Sequence, residues 1–257
     1  MTVTPKKSLG QHFLVDENIL GVIGRLADLR PDDIVLEVGP GLGVLTRYLA
    51  ERVRLVHSIE LDRTLEEPLA SALAGRENIQ LVFGDALSLD LGALDPLPGK
   101  LVANLPFNIA TPLVAEGLER MPFLERWCVM VQREVADRFF AASRTKAYGA
   151  VSVLVQLTAR KVGFHAVPPS VFRPRPRVES ALVAFVRVDG PSLGRVRPVV
   201  EAAFAHRRKT LANSVALAGL ASRAQAEAAL AVIGAPSKAR AEELEPYEFV
   251  ALAEALG

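Results

Sequence analysis

Apolar residues in this chain fall into two kinds of pattern: short, mainly apolar runs, and longer stretches in which they recur every three or four positions. A short run bounded by Gly, Pro or Asp reads as a buried strand, whereas recurrence at helical spacing reads as one face of a helix. Runs at Ile34–Val38, Leu55–Ile59 and Ile79–Phe83, and the one that ends at Asn104, predict strands; so do Trp127–Val131, Val162–Val167 and Ala181–Val186 further on. Their alternation with helical stretches predicts a doubly wound α/β sheet through about residue 188. Asp189-Gly190-Pro191-Ser192 then breaks the last strand, and no strand pattern follows. Helices are predicted over Val196–Leu217, Ala224–Val232 and Pro246–Leu256, with Gly234-Ala235-Pro236-Ser237 as a stop between the last two. The expected architecture is an α/β domain with an N-terminal arm over residues 1–188 and a small all-helical C-terminal domain over 189–257.

Composition fits this picture. At 257 residues and 50% hydrophobic, the chain can bury a substantial core. Its single cysteine, Cys128, sits inside an apolar run, so neither a disulfide framework nor a zinc site is expected, and no metal. Met1 to Gly10 lacks an apolar signal core, and no stretch approaches the roughly 18 apolar residues of a membrane span. A soluble, cytoplasmic protein with no membrane partner is expected, and nothing demands more than a monomer. Net charge is only +1, but from Arg120 to Thr210 there are 17 Lys and Arg against 6 Asp and Glu. The basic charge is therefore concentrated.

The strand ends carry the candidate chemistry. The run ending at Val38 enters Gly39-Pro40-Gly41-Leu42-Gly43 and then a helical pattern through Leu49. Such a turn brings bare backbone and unpaired helix N–H groups to a ligand, although alone it is equally a plain turn. A dinucleotide fingerprint needs glycine where this chain has Val44 or Thr46, so a pyrophosphate cofactor is disfavoured. The second run ends at Glu60, whose carboxylate suits ribose hydroxyls, and the third ends in Gly84-Asp85-Ala86. Singly, either carboxylate is an ordinary strand end or cap. Together, beside the glycine turn, they describe a nucleoside pocket without a phosphate clamp, and S-adenosylmethionine is a ligand of that kind. Asn104-Leu105-Pro106-Phe107 follows the fourth run. An amide oxygen and a nearby carbonyl can accept hydrogen bonds from an exocyclic amine while the ring stacks on a base. Read alone, the tetrapeptide is equally a strand-to-loop exit with a buried Phe.

The order of these motifs resembles the KsgA/RsmA family of ribosomal RNA adenine N6,N6-dimethyltransferases. The likeness runs through Lys7-Ser8-Leu9-Gly10-Gln11-His12-Phe13-Leu14, Glu37–Gly43, Ile59-Glu60-Leu61-Asp62, Gly84-Asp85-Ala86, Asn104–Ile109, Met130–Ala136, Pro169–Pro176 and Phe204–Leu211. It implies a Rossmann-like S-adenosylmethionine-dependent methyltransferase. Its substrate would be two adjacent adenosines in the 3′-terminal hairpin of 16S rRNA in the small ribosomal subunit. Cofactor contacts would fall on Gln11, His12, Leu14, Gly39, Gly41, Gly43, Glu60, Asp85, Ala86 and Asn104, with Gln11 near the methionine end, Glu60 at the ribose and Asp85 at the adenine amine. Many relatives have Asn at position 12 and Tyr at 107. A backbone contact tolerates the first difference, and Phe107 keeps a stacking ring without the hydroxyl.

The chemistry so implied is direct displacement, with the target N6 attacking the sulfonium methyl and S-adenosylhomocysteine leaving. Asn104 and the Leu105 carbonyl would accept both amine protons, Pro106 would stiffen the loop and Phe107 would stack on the base. Phe172 would close the base's other face, or else simply fill core. A hairpin adenosine must be splayed out to be reached, which requires a grip on the RNA backbone. Arg173, Arg175 and Arg177, alternating with Pro174 and Pro176, suit phosphates, as does Arg207-Arg208-Lys209. The helical domain would wall an RNA cleft or serve as a stabilising cap. Three alternatives stay open: an Erm-type methyltransferase acting on large-subunit rRNA, a non-catalytic ribosome-assembly or RNA-binding protein, and a dehydrogenase.

Overall fold

The computed structural model describes residues 5–6 and 9–257; Lys7 and Ser8 of the first shared motif lie outside the described residues, as do residues 1–4 of the segment read for a signal core. The arm ends in a short strand, β1 (Phe13–Leu14), followed by α1 (Glu17–Ala27). Asp16 starts that helix by accepting the Asn18 N–H at 2.8 Å, and Asp28 ends it in a left-handed conformation with φ of 51°. Its buried residues Ile19, Leu20, Ile23 and Ala27 recur at helical spacing. Next come β2 (Ile34–Val38), α2 (Val44–Ala50), β3 (Leu55–Glu60), α3 (Glu66–Leu73), β4 (Ile79–Phe83), β5 (Lys100–Asn104), α4 (Ala110–Arg120), β6 (Arg126–Gln132) and α5 (Arg133–Phe139). Beyond them lie α6 (Ala150–Thr158), β7 (Ala159–Val167), β8 (Phe172–Arg173) and β9 (Ser180–Arg187).

Seven of these strands form one sheet in the order β4-β3-β2-β5-β6-β9-β7. Strands β2 to β6 pair in parallel, and β9 pairs antiparallel to β6. Helices cover a parallel sheet on both faces, which is why the centres of β5 and β6 read as continuous apolar runs and β2 as one interrupted only by Glu37. Where β9 joins, Trp127 and Phe185 are cross-strand partners with stacked rings 5.6 Å apart, both fully buried. Such a pair contributes roughly 0.5–1.5 kcal/mol beyond the area it buries. Cys128, also in β6, is buried, and that burial pushes its thiol pKa up to about 12, as suits a core filler. Strand order reverses between β2 and β5, with β3 and β4 running to one side and β6 to the other. The crevice beyond the strands' C-terminal ends at such a switch point is where ligands bind in open α/β sheets.

The chain divides into two compact units. The first runs through Ala136 and again over Lys161–Arg187; the second is Asp137–Arg160 with Val188–Gly257. The expected single boundary at 188/189 differs from this division, because the chain enters the helical unit twice. The cause is α6, whose Val153, Leu154 and Leu157 pack into one cluster with Leu193, Val196, Val200 and Phe249. The helices that supply that cluster are α7 (Leu193–Phe204), α8 (Leu211–Leu217), α9 (Arg223–Val232) and α10 (Pro246–Leu256). The predicted helix over Val196–Leu217 is thus two helices. Ala205, His206, Arg207, Arg208 and Lys209 between them are all exposed and offer nothing to the core. Ser214 closes the break by accepting the His206 N–H at 3.1 Å and donating to the Ala202 carbonyl at 2.7 Å.

Candidate active site

Four strand ends of the first unit surround one cavity. Its lining includes Glu37, Gly39 and Gly41 from the β2 exit, Glu60 from β3, Asp85 and Ala86 after β4, and Asn104, Leu105, Pro106 and Phe107 from β5 onward. The arm supplies Gln11, His12, Phe13 and Leu14. Of the expected cofactor residues, only Gly43 is not among the lining; it heads α2 with φ of 75°.

The glycine turn is built for close packing. Gly39 and Gly41 hold φ of 76° and 58°, values that L side chains rarely adopt. A Cβ on Gly41 would lie 2.8 Å from the Phe13 ring, and one on Gly39 would lie 3.1 Å from Pro106. The bare backbone therefore lets the arm and the Asn104–Phe107 segment close on the turn.

Glu60 is 6% exposed, with Oε2 accepting the Gly41 N–H at 3.2 Å and Oε1 the Asp62 N–H at 2.8 Å. Burial raises its pKa, while those two backbone hydrogen bonds pull the other way. With the Leu61 N–H as a third backbone donor, the carboxylate still keeps a lone pair for a hydroxyl. Asp85 is half-buried, and its Oδ1 accepts the Leu87 N–H at 2.9 Å. Glu37 is 1% exposed; burial drives its pKa up to about 7, the hydroxyls of Thr46 and Ser58 lower it, and the nearby Glu60 adds to the rise. Ser58 donates to Oε2 at 3.0 Å, whereas Oε1 has no partner and the Thr46 hydroxyl is not placed for a well-formed bond.

The described residues of the arm are held by several contacts. Lys6 Nζ reaches Asp62 at 2.6 Å and Gln11 Nε2 donates to the same carboxylate at 2.9 Å, while Gln11 Oε1 accepts the Lys6 N–H at 2.8 Å. Burial alone would raise the Asp62 pKa, but hydrogen bonds from Lys6, Thr64 and Gln11 hold it well below the ordinary carboxylate range. Downstream, β1 pairs antiparallel with β8, placing Phe13 opposite Arg173. Asn104 Nδ2 donates to the His12 carbonyl at 3.1 Å, and the Leu105 N–H donates to Met130 O at 3.0 Å. The His12 ring, half-exposed, lies 5.2 Å from the Phe107 ring with a 35° tilt, and its Nδ1 is 2.7 Å from Pro174 O.

Phe172 is fully buried in the same cluster as Leu14, Ile19 and Leu182, so of its two readings the structure favours core filling over stacking on a base. Arg173, Arg175 and Arg177 are exposed, as are Arg207, Arg208 and Lys209 in the second unit. Arg207 is committed locally: it donates to Tyr148 O at 2.8 Å and Lys146 O at 3.3 Å and lies 3.6 Å from Glu242. Sequence reasoning gave no role to Asp62, Lys6 or Glu37. Asp62 alone carries a local signal, as a carboxylate two residues before Thr64 whose N–H it caps at 3.0 Å. Among the described residues, no group of three or more His, Cys, Asp or Glu is placed to hold a metal, and no helix is long and apolar enough to cross a membrane.

Sheet order, switch-point cavity and glycine turn define a Rossmann-like S-adenosylmethionine-dependent methyltransferase fold. A family model described as "Ribosomal RNA adenine dimethylase" matches residues 3–256, and the chain belongs to that family. A relative from Rubrobacter xylanophilus, named "Ribosomal RNA small subunit methyltransferase A", is 50% identical over 253 residues, covering 98% of this chain and 95% of its own. Among solved structures, the 23S rRNA methyltransferase ErmE is 32% identical with a TM-score of 0.67, covering 95% of this chain and 99% of that one. A dimethyladenosine transferase from Plasmodium falciparum shares the fold with a TM-score of 0.77 at 23% identity, over 94% and 96% of the two chains.

Proposed function

We propose that this protein dimethylates N6 of two adjacent adenosines in the 3′-terminal hairpin of 16S rRNA, within the small ribosomal subunit or its precursor. The observation that carries the reading is the fixed amide of Asn104. Its Nδ2 is committed to the His12 carbonyl, which leaves Oδ1 as the acceptor for an incoming amine in the cavity that also holds Glu60 and Asp85.

The cavity's chemistry fits the methyl donor. Its polar lining is rich in acceptors, including a buried carboxyl oxygen without a partner at Glu37, and so suits a ligand that combines ribose hydroxyls, an adenine amine and positive charge. Glu60 would hold the ribose and Asp85 the adenine amine, with Gly39, Ala86 and the arm residues Gln11, His12 and Leu14 around them. S-adenosylmethionine, when bound, supplies the methyl group. Asn104 Oδ1 and the Leu105 carbonyl accept hydrogen bonds from the amine and draw the nitrogen toward a tetrahedral shape with its lone pair aimed at the methyl, while Phe107 stacks on the base; the proton lost after transfer passes to solvent. No side chain of this segment is a strong base, so positioning does most of the work; proximity and orientation can contribute roughly 7–11 kcal/mol. Arg173, Arg175 and Arg177 would take phosphates, and Arg208 and Lys209 would add a second contact.

The likeness to a 23S rRNA methyltransferase favours an Erm-type specificity as a second reading, but the 50% identity to a protein named for the small subunit outweighs it. Asn104→Ala tests the chemistry. Single-turnover methyl transfer is expected to fall by roughly a hundredfold or more, with cofactor affinity measured by calorimetry only modestly weakened. Full turnover in the variant would exclude the mechanism.

A further inference from the structure

His12 sits where three parts of the first unit meet. Its backbone carbonyl holds the Asn104 amide, its ring lies against Phe107, and its Nδ1 meets the Pro174 carbonyl at 2.7 Å. A carbonyl cannot donate, so Nδ1 carries the hydrogen in this contact. Pro174 lies between Arg173 and Arg175, and the next residue of the arm, Phe13, is the strand partner of Arg173. The segment offering guanidinium groups to RNA is thus tied through one residue, by its imidazole to the ring and by its backbone carbonyl to the amide, to the groups that would hold the target base.

We propose that His12 is a positioning residue which couples RNA backbone engagement at Arg173 and Arg175 to the setting of Phe107 and Asn104 for transfer. This rests on the reading of Asn104 and Phe107 as the base contacts. When phosphates fix the arginine segment, the Nδ1–H bond carries that position to the imidazole. The ring presents a face to Phe107, and the adjoining carbonyl keeps the Asn104 amide from turning its Nδ2 toward the amine. A displacement of about 1 Å at reacting groups can cost on the order of a hundredfold in rate, so a tie of this kind is felt in turnover rather than in cofactor binding.

The test compares His12→Ala, His12→Phe and His12→Asn in single-turnover methyl transfer to undermethylated small subunits, with S-adenosylmethionine affinity measured separately. His12→Ala is expected to slow transfer by roughly tenfold to a hundredfold at saturating cofactor, with a much smaller change in cofactor Kd, because the cofactor contact expected at position 12 is made by the backbone. His12→Asn can still donate to Pro174 and is expected to recover most of the rate. His12→Phe keeps a ring without the donor and is expected to stay slow, so the Asn and Phe pair decides the matter even where alanine unsettles the arm. The proposal is overturned if His12→Ala matches the wild type, if His12→Asn is as slow as His12→Phe, or if the loss lies in cofactor affinity with the saturated rate intact. Asn104→Ala in the same assay separates the two claims. Its full activity would sink the base-contact reading, whereas a dead Asn104→Ala beside a normal His12→Ala would sink the coupling alone.

Discussion

In the first unit the buried polar side chains include Glu37, His57, Glu60 and Asp62; in the second, among the described residues, they are Ser152, Thr158 and Ser214. Each of those three hydroxyls donates to a backbone carbonyl of its own unit: Ser152 to Arg138 at 2.5 Å, Thr158 to Leu154 at 3.0 Å and Ser214 to Ala202 at 2.7 Å. A buried hydroxyl with such a partner costs little, whereas a buried carboxyl costs several times more. The helical unit is therefore assembled as a core should be for stability. The sheet unit keeps three buried carboxyls at or near the ends of β2 and β3, each hydrogen-bonded within its unit and two of them, Glu37 and Glu60, lining the cavity; buried titratable groups of this kind cluster at functional sites.

Four substitutions sharpen that contrast. The largest effect is expected from Phe249→Ala. Phe249 is fully buried, with its ring stacked 5.7 Å from that of Phe204. Its removal should cost the second unit about 3–5 kcal/mol in hydrogen exchange or denaturant unfolding, while S-adenosylmethionine affinity stays unchanged; a matching loss of affinity would merge the two units functionally. Next is Glu37→Gln. A carboxyl raised from 4.5 to about 7 leaves the native state holding the extra proton between those values. Its contribution is complete below pH 4.5 and is lost as pH rises through 7, a change on the order of 3 kcal/mol. Glu37→Gln should flatten the fall in stability from pH 5 to pH 8; identical slopes in both proteins would show that the carboxyl ionises freely. Smallest is Arg175→Ala, expected to weaken RNA binding slightly and to reduce the slope of log affinity against log salt by about one. Arg207→Ala, by contrast, removes hydrogen bonds to Tyr148 and Lys146 and should register in stability before it registers in that slope.

Much of the sheet unit was legible in the sequence because its signals are local. The runs at Ile34–Val38 and Leu55–Ile59 are strands because residues buried on both faces need no alternation, and Ile79–Phe83, at the sheet edge, is half-buried with Gln80 exposed. Glu60, Asp85 and Asn104 stood out because each ends or closely follows a strand, and parallel strands bring such ends to one edge. What escaped depends on contacts distant in the chain. Lys6 meets Asp62 across 56 positions, and nothing near either residue marks the other. The run Ala150–Thr158 is apolar nearly all round, so its pattern cannot say which neighbour covers it; packing assigned it to the helical unit. Phe172 has the same sequence context whether it stacks on a base or fills a core, and only its neighbours Leu14 and Leu182 distinguish the two. The break between α7 and α8 lies in a basic cluster that apolar spacing on either side spans without interruption.

The most direct test of the account is labelled methyl transfer from S-adenosylmethionine to undermethylated small subunits, large subunits and bare rRNA in parallel, followed by nucleoside analysis. The account predicts N6,N6-dimethyladenosine in small-subunit RNA alone. Label in large-subunit RNA would contradict the specificity, and tight binding to small subunits without any label would contradict the chemistry.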